Sequence, residues 1–348
     1  MHFMRTTSLL FFCTIILIFS PAPSSHAGEA QDLLSQAYSA YQQNQWTSVK
    51  APLERAIQLY PHYAEAHHLM GLVLVQLSQP EQAIAALQEA VKAYPSFAQA
   101  HVDLGFVLQD QAQFEQAEQA FRQATSIYPS YLESWTALAA LFDQQQHAAK
   151  AIEAHEKILE LDPNHADSLY GLAFWHVQEG HPTQAQPYVE KLTAKNPQHV
   201  NGWLMTGSLA QQHGESKKAI AAYQRVVALQ QQLVDPYFNL GILYQQQEQY
   251  NEAAEAFENV LRLDQDNPEA HINLGVIYTT LSKLKQAEEQ YQAALALDPR
   301  LAEVHYNLGL LYEFHHNAPG KALEYYKEYV KLGGQDERIS KLLKRVGS

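Results

Sequence analysis

The sequence predicts an all-α solenoid of nine stacked helical hairpins, closed at its C-terminal end by one further helix. Three observations predict it. Residues 239–244, 273–278 and 307–312 read NLGILY, NLGVIY and NLGLLY, at a fixed interval of 34 residues. Within each interval, small and large apolar residues recur twice at helical spacing. A proline recurs near the end of most intervals, and it cannot continue a helix.

With starts at 30, 64, 98, 132, 166, 200, 234, 268 and 302, position 8 is always small, running from Ala37 and Gly71 to Gly309. Position 20 is Val49, then alanine from Ala83 to Ala287. Position 32 is Pro61, Pro95, Pro129, Pro163, Pro197 and Pro299, with Gln231 and Gln265 breaking the series. Positions 4, 7, 8 and 11 share one face of a first helix, in the eighth interval His271, Leu274, Gly275 and Tyr278. Positions 20, 24 and 27 share a face of a second helix, there Ala287, Tyr291 and Ala294. Small residues let the two backbones approach, and large ones fill the gaps beside them. One such hairpin cannot bury its face alone, whereas stacked copies can.

With Trp135 and Trp203 at position 4, and Phe121, Tyr223, Phe257 and Tyr291 at position 24, the pattern resembles the tetratricopeptide repeat family. The resemblance runs from residue 30 to about 335. It implies a right-handed α-solenoid superhelix whose first helices line a concave ligand-binding surface. The first repeat departs from the pattern at Gln36 and Val49, as an end cap would. The ninth carries one extra residue in FHHNAPGKA, which moves its second-helix alanine to Ala322. After Gly333 and Gly334, Ile339, Leu342, Leu343 and Val346 form one apolar stripe. Asp336 and Glu337 come early and Lys344 and Arg345 late, which suits a helix dipole, so residues 336–348 are expected to cap the array.

The first thirty residues are different in kind. MHFMR precedes the apolar SLLFFCTIILIFS, and PAPSSHA ends with Ser25 and Ala27 spaced as a cleavage site, so residues 1–27 are expected to be a secretory signal peptide. The apolar run is shorter than the roughly 20 residues that a membrane-spanning helix needs. The expectation is a mature chain from Gly28, with repeats over 28–335, in the periplasm or secreted. An uncleaved N-terminal anchor facing the periplasm is the alternative. The one cysteine, Cys13, lies in the leader, so the mature chain holds no disulfide or thiolate site.

The formal charge of -14 repels phosphate backbones and anionic headgroups, so neither nucleic acid nor membrane insertion after signal cleavage is expected. Phosphate loops, nucleophile elbows and paired-His zinc helices are all missing, so neither catalysis nor a cofactor is expected. His67, His101, His271 and His305 hold position 4, where the family usually has an aromatic. They are read as flat rings standing in for Trp, rather than as a metal ladder. Adding two interaxial spacings puts successive position-4 residues about 18–20 Å apart, too far to share a metal. His315 and His316 are read as solvated loop residues.

Positions 2, 6, 9 and 13 lie opposite the packing face, where the resemblance places the groove. Position 2 is never basic, and positions 5 and 9 offer Phe106, Tyr170, Phe174, Phe238, Ile242 and Tyr306 as groove residues. Position 6 is asparagine only in the last three repeats, Asn239, Asn273 and Asn307. A side-chain amide is donor and acceptor at once, so it pairs with peptide groups of any sequence. The arrangement is similar to the asparagine ladder of the O-linked N-acetylglucosamine transferases. The lysines that the family uses to clamp acidic tails are missing. The expected function is a non-catalytic scaffold that binds a protein or extended peptide, neutral or basic and partly apolar. A glycan, bound in exopolysaccharide export, is the alternative.

Overall fold

The computed structural model describes residues 25–346, and the expected signal peptide lies outside them except for its last three residues. The described residues form nineteen α-helices and one π-helical turn, without a strand. They divide into two compact units that meet in sequence at Lys150 and Ala151. In chain order the first hairpins are α1 (Ser25–Gln42) with α2 (Trp46–Leu59), α3 (Ala64–Gln76) with α4 (Pro80–Ala93), and α5 (Ala98–Asp110) with α6 (Phe114–Ile127). Then come α7 (Leu132–Gln144), α8 (Ala148–Leu161), α9 (Ala166–Gln178) with α10 (Pro182–Lys195), and α11 (Val200–Gln212) with α12 (Ser216–Leu229). The last are α13 (Val234–Gln246) with α14 (Tyr250–Leu263), α15 (Pro268–Thr280) with α16 (Leu284–Leu297), and α17 (Ala302–Leu310) with α18 (Pro319–Lys331), followed by α19 (Glu337–Val346). The result is an all-α repeat solenoid.

The first helices end alike. After α3, Ser78 takes φ +57°, Gln79 N–H donates to the Leu74 carbonyl at 2.9 Å and Ser78 N–H donates to Val75 at 2.9 Å. These two bonds and the left-handed residue make a Schellman closure, which satisfies the last helical carbonyls. The same position is Asn44, Ala112, Gln146, Gly180, Gly214, Glu248 and Ser282 elsewhere. Six of these eight turns place a side chain where glycine would be unstrained.

In the hairpins α5–α6, α13–α14 and α15–α16, the glycine at position 8 is matched to the ring at position 24. A Cβ on Gly105 would lie 2.3 Å from the Phe121 ring, on Gly241 2.7 Å from Phe257, and on Gly275 2.5 Å from Tyr291. The glycine therefore makes room for a fully inserted ring. Where position 8 is Ala173, its counterpart is the smaller Val189, and both are buried. Volume is thus conserved across the pair, as close packing requires.

The histidines at position 4 do what tryptophan does there. Trp135 Nε1 donates to the Pro129 carbonyl at 2.8 Å and Trp203 Nε1 to Pro197 at 3.0 Å. His67 Nε2 lies 2.9 Å from the Pro61 carbonyl, and His101, His271 and His305 repeat the contact with Pro95, Gln265 and Pro299 at 2.9, 3.1 and 2.9 Å. A carbonyl only accepts, so Nε2 carries the proton. The expected wide separation of successive first helices is corrected: they touch, as His68 Nε2 on α3 reaches Asp103 Oδ2 on α5 at 2.6 Å.

At the ends, Gln36 is exposed and Val49 fully buried, so only the outer face of the first repeat is polar. The extra residue of the ninth repeat is absorbed as a π-helical turn, Leu311–His315, and Ala322 is 2% exposed. His315 and His316 are both exposed, and His316 Nε2 lies 3.6 Å from Glu288 with its ring 5.3 Å from Tyr312. On α19, Ile339 is fully buried, Leu342 and Leu343 are half-buried, and Val346 is 58% exposed, so the covered stripe stops one turn short.

Candidate ligand-binding face

Charge separates the two helices of the repeat. Among the described residues no first helix, α1 to α17 in odd numbers, contains Lys or Arg. These helices carry acids instead, including Glu65, Asp103, Glu133, Asp235, Glu269 and Glu303. The bases lie on second helices, on turns and on α19.

In the second unit, one buried cluster extends from Ala253 to Ile339, and Phe238, Ile242 and Tyr306 are half-buried against it. Phe238 stands edge-on to Phe257 at 5.5 Å, and Tyr306 lies 5.2 Å from Tyr329. Each ring thus anchors on a second-helix aromatic while part of its surface stays open. Asn239, Asn273 and Asn307 are half-buried on α13, α15 and α17. Asn273 Nδ2 donates to the Glu269 carbonyl of its own helix at 2.8 Å. Asn239 and Asn307 make no side-chain hydrogen bond among the described residues.

Tyr170 and Phe174 form a separate patch on α9, stacked at 6.5 Å, with Tyr170 also 5.6 Å from His199. Burial pushes the Tyr170 phenol above its ordinary pKa. Phe106 lies in the first unit, 37% exposed and edge-on to Phe121 at 5.2 Å. Two residues of the same positions, Val102 and Ile272, are buried at 0% and 8% and belong to the core.

The first unit holds a polar network that the position-by-position reading overlooked. His68 is 6% exposed, bonded to Asp103, and its ring lies 4.8 Å from Phe97. Gln99 Nε2 donates to Asp103 at 3.2 Å, and the Tyr131 hydroxyl donates to Glu133 at 2.6 Å and also lies against Gln99 Oε1. The signal was present as the one acid at position 6, Asp103, following a histidine at position 5 of the preceding repeat.

Among the described residues, no group of three or more His, Cys, Asp or Glu could hold a metal, and no helix is long and apolar enough to cross a membrane. Ser168 lies between two imidazoles, His155 Nδ1 at 3.2 Å and His165 Nδ1 at 3.0 Å, a nucleophile-like arrangement. It is fully buried, however, so no substrate reaches its hydroxyl.

Family models carry the comparison with known proteins. One tetratricopeptide repeat model matches residues 68–130, 103–166, 238–299 and 280–337, and two others match 144–209 and 211–248. A model described as anaphase-promoting complex, cyclosome, subunit 3 matches residues 5–90. Among curated proteins, none matches. The C-terminal part of a TPR repeat-containing protein from Cytophaga hutchinsonii is similar in structure, with TM-score 0.60 and 15% identity over 69% of this chain and 99% of that one. Pseudomonas aeruginosa pilF has TM-score 0.50 and 20% identity over 65% of this chain and 99% of its own. YrrB, described as a TPR protein with an unusual peptide-binding site, has TM-score 0.48 and 18% identity over 53% and 95%. At these identities the Cytophaga hutchinsonii and Pseudomonas aeruginosa structures speak for the fold alone. The repeat models between them leave only residue 210 uncovered from 68 to 337, and the chain belongs to the tetratricopeptide repeat family.

Proposed function

We propose that this chain is an exported, non-catalytic scaffold that holds an extended polypeptide along α13, α15 and α17. Family membership supplies the coarser statement, that the chain is a protein–protein interaction scaffold. The finer reading rests on one observation: the unpaired, half-buried amides of Asn239 and Asn307 flank Asn273 beside the partly open side chains of Phe238, Ile242 and Tyr306. An extended peptide presents N–H and C=O groups in alternation, and an amide can answer both. The apolar side chains supply affinity as their open surface is covered. First helices without a base favour a neutral or basic partner.

Export is part of the proposal. The expected cleavage point after Ala27 falls in the first turn of α1, ahead of the first buried residue, Ala30 at 1% exposure. Among the described residues, cleavage there would therefore remove no buried one. N-terminal sequencing of the expressed protein is expected to return Gly28, and an intact Met1 on a membrane-bound chain would contradict it. For the groove, envelope extract is passed over wild type and over the Asn239→Ala, Asn273→Ala, Asn307→Ala variant. The variant is expected to lose at least one polypeptide that wild type retains. Identical recovery on both would end the asparagine reading.

A further inference from the structure

The turns that join successive repeats are built on one backbone, and only the first unit decorates them with pairs of rings. They read Tyr60-Pro61-His62-Tyr63, Tyr94-Pro95-Ser96-Phe97 and Tyr128-Pro129-Ser130-Tyr131. In each, the fourth residue's N–H donates to the first residue's carbonyl, at 3.1, 3.0 and 3.0 Å. The same bond closes Asp162 to His165 at 3.1 Å and Asn196 to His199 at 2.9 Å in the second unit, with no such aromatic pair. The turn therefore does not require the rings. In the first unit they lie in pairs, with centroids 5.8, 6.0 and 6.0 Å apart. The fourth-position ring is half-buried, while the outer tyrosines stay exposed, Tyr60 by 43%, Tyr94 by 38% and Tyr128 by 56%.

Charge selects the occupant. The Tyr131 hydroxyl rests on Glu133, and Glu65 adds to burial in pushing the Tyr63 phenol up to about 12, so both acids stand beside the inner rings. Every described Lys and Arg of this unit is already paired with an acid other than these two. The pairs are Lys50 with Glu54, Arg55 with Glu29, Lys92 with Glu89, and both Arg122 and Lys150 with Glu118. Among the described residues Glu65 and Glu133 have no Lys or Arg partner in the unit, and an aromatic face attracts cations as well. The geometry points to these three turns as an aromatic rail for a lysine- or arginine-bearing extended segment of a partner polypeptide, its cations over Tyr60, Tyr94 and Tyr128 and near Glu65 and Glu133. The inference shares the scaffold reading but uses none of its asparagines, so each can fail alone.

The test is calorimetric titration of the whole chain with three probes: a dodecapeptide of alternating Lys and Ala, the same peptide with Gln for Lys, and maltohexaose. At low salt the Lys peptide is expected to bind at least about tenfold more tightly than either neutral probe, and to weaken as salt rises. Tyr60→Ser with Tyr94→Ser and Tyr128→Ser is expected to weaken it about tenfold, as three cation–ring contacts would, and Glu65→Gln with Glu133→Gln to weaken it and flatten the salt dependence. The asparagine triple variant is expected to bind it as wild type does. Should the tyrosine triple variant lose helicity by circular dichroism, Tyr128→Ser alone, at the most exposed ring, takes its place with a smaller expected loss. Equal affinity for Lys and Gln peptides, preference for maltohexaose, unchanged binding by a folded tyrosine variant, or loss confined to the asparagine variant would each overturn the inference.

Discussion

The two units solve the same packing problem and present different surfaces. In the first, position 6 of the first helix is Leu69 or Ala137, buried at 0% and 2%, Asp103, tied to His68, or Ser35, which is exposed and donates to the Gln31 carbonyl of its own helix. In the second, the last three repeats put Asn239, Asn273 and Asn307 there, half-buried with hydrogen-bonding capacity to spare. The inter-repeat turns reverse the emphasis, with tyrosines in the first unit and Asp162, Asn196 or Asp298 in the second. Features shared by both units, such as the left-handed residue and the ring-to-carbonyl bond, belong to the fold. Features confined to one unit are where function is to be sought.

The shared features should break alike. The largest effect is expected from Gly105→Ala in the first unit and Gly241→Ala in the second, whose new methyls would overlap Phe121 and Phe257. Each should destabilise its own unit by about 1–3 kcal/mol. Hydrogen exchange read by mass spectrometry, peptide by peptide, would resolve the units where a single melting curve cannot. Adding Phe257→Val to Gly241→Ala imitates the Ala173 and Val189 pair and should recover part of the loss. If both single variants were silent, the volume match would be incidental.

His101→Phe keeps a flat ring but loses the donor to Pro95, and is expected to cost about 1 kcal/mol, whereas His101→Trp should retain most of the stability. Equal losses for the two would show that the ring's shape, not its N–H, matters there.

Ion pairs separate the units more finely. Burial would raise the Glu118 carboxyl, yet hydrogen bonds from Lys150 and Arg122 outweigh it and hold the group below its ordinary pKa. A lowered folded value adds stability above the ordinary carboxylate range and loses it as pH falls through the folded value. Wild type should therefore exceed Glu118→Gln by about 1 kcal/mol or less at neutral pH, and the gap should close below about pH 4. Glu190 is lowered too, by hydrogen bonds from Lys218 and Gln186, but its side chain is 51% exposed, so Glu190→Gln should show a smaller pH-dependent gap. A gap that widens toward low pH would contradict both assignments.

The smallest effects have opposite signs. Ala112 holds φ +56° and Gly214 holds +73° at the same turn position. Ala112→Gly should stabilise by about 0.5 kcal/mol, and Gly214→Ala should destabilise by about 1 kcal/mol. Urea midpoints would check both, and matching signs would mean that neighbouring contacts rather than φ decide.

Most of the fold was legible in the sequence because its signals are local and periodic. Gly105, Gly241 and Gly275 recur at one interval since each faces a ring from its own repeat, so a short-range rule repeats along the chain. The histidine substitution for tryptophan was readable as a flat ring. Its N–H bond to a carbonyl six residues earlier was not, since that depends on how the proline turn folds back. The spacing of first helices was misjudged because periodicity gives no angle between neighbouring hairpins. For the candidate site, Asn239, Asn273 and Asn307 were visible as a run at one position, but Asn273's bond to its own helix was not. The Tyr-Pro turns stand in the sequence at positions 31 to 34, but their exposed ring pairs depend on the folded turn, and the second unit closes the same turn without such pairs.

The central claim is that partners bind on first helices, and site-specific photocrosslinking tests it most directly. A benzophenone side chain replaces Ile242 on α13 in one variant and Lys217 on α12 in another, and both are irradiated in envelope extract. Polypeptide adducts are expected from position 242 and not from 217. Adducts from 217 alone, or equally from both, would contradict the account.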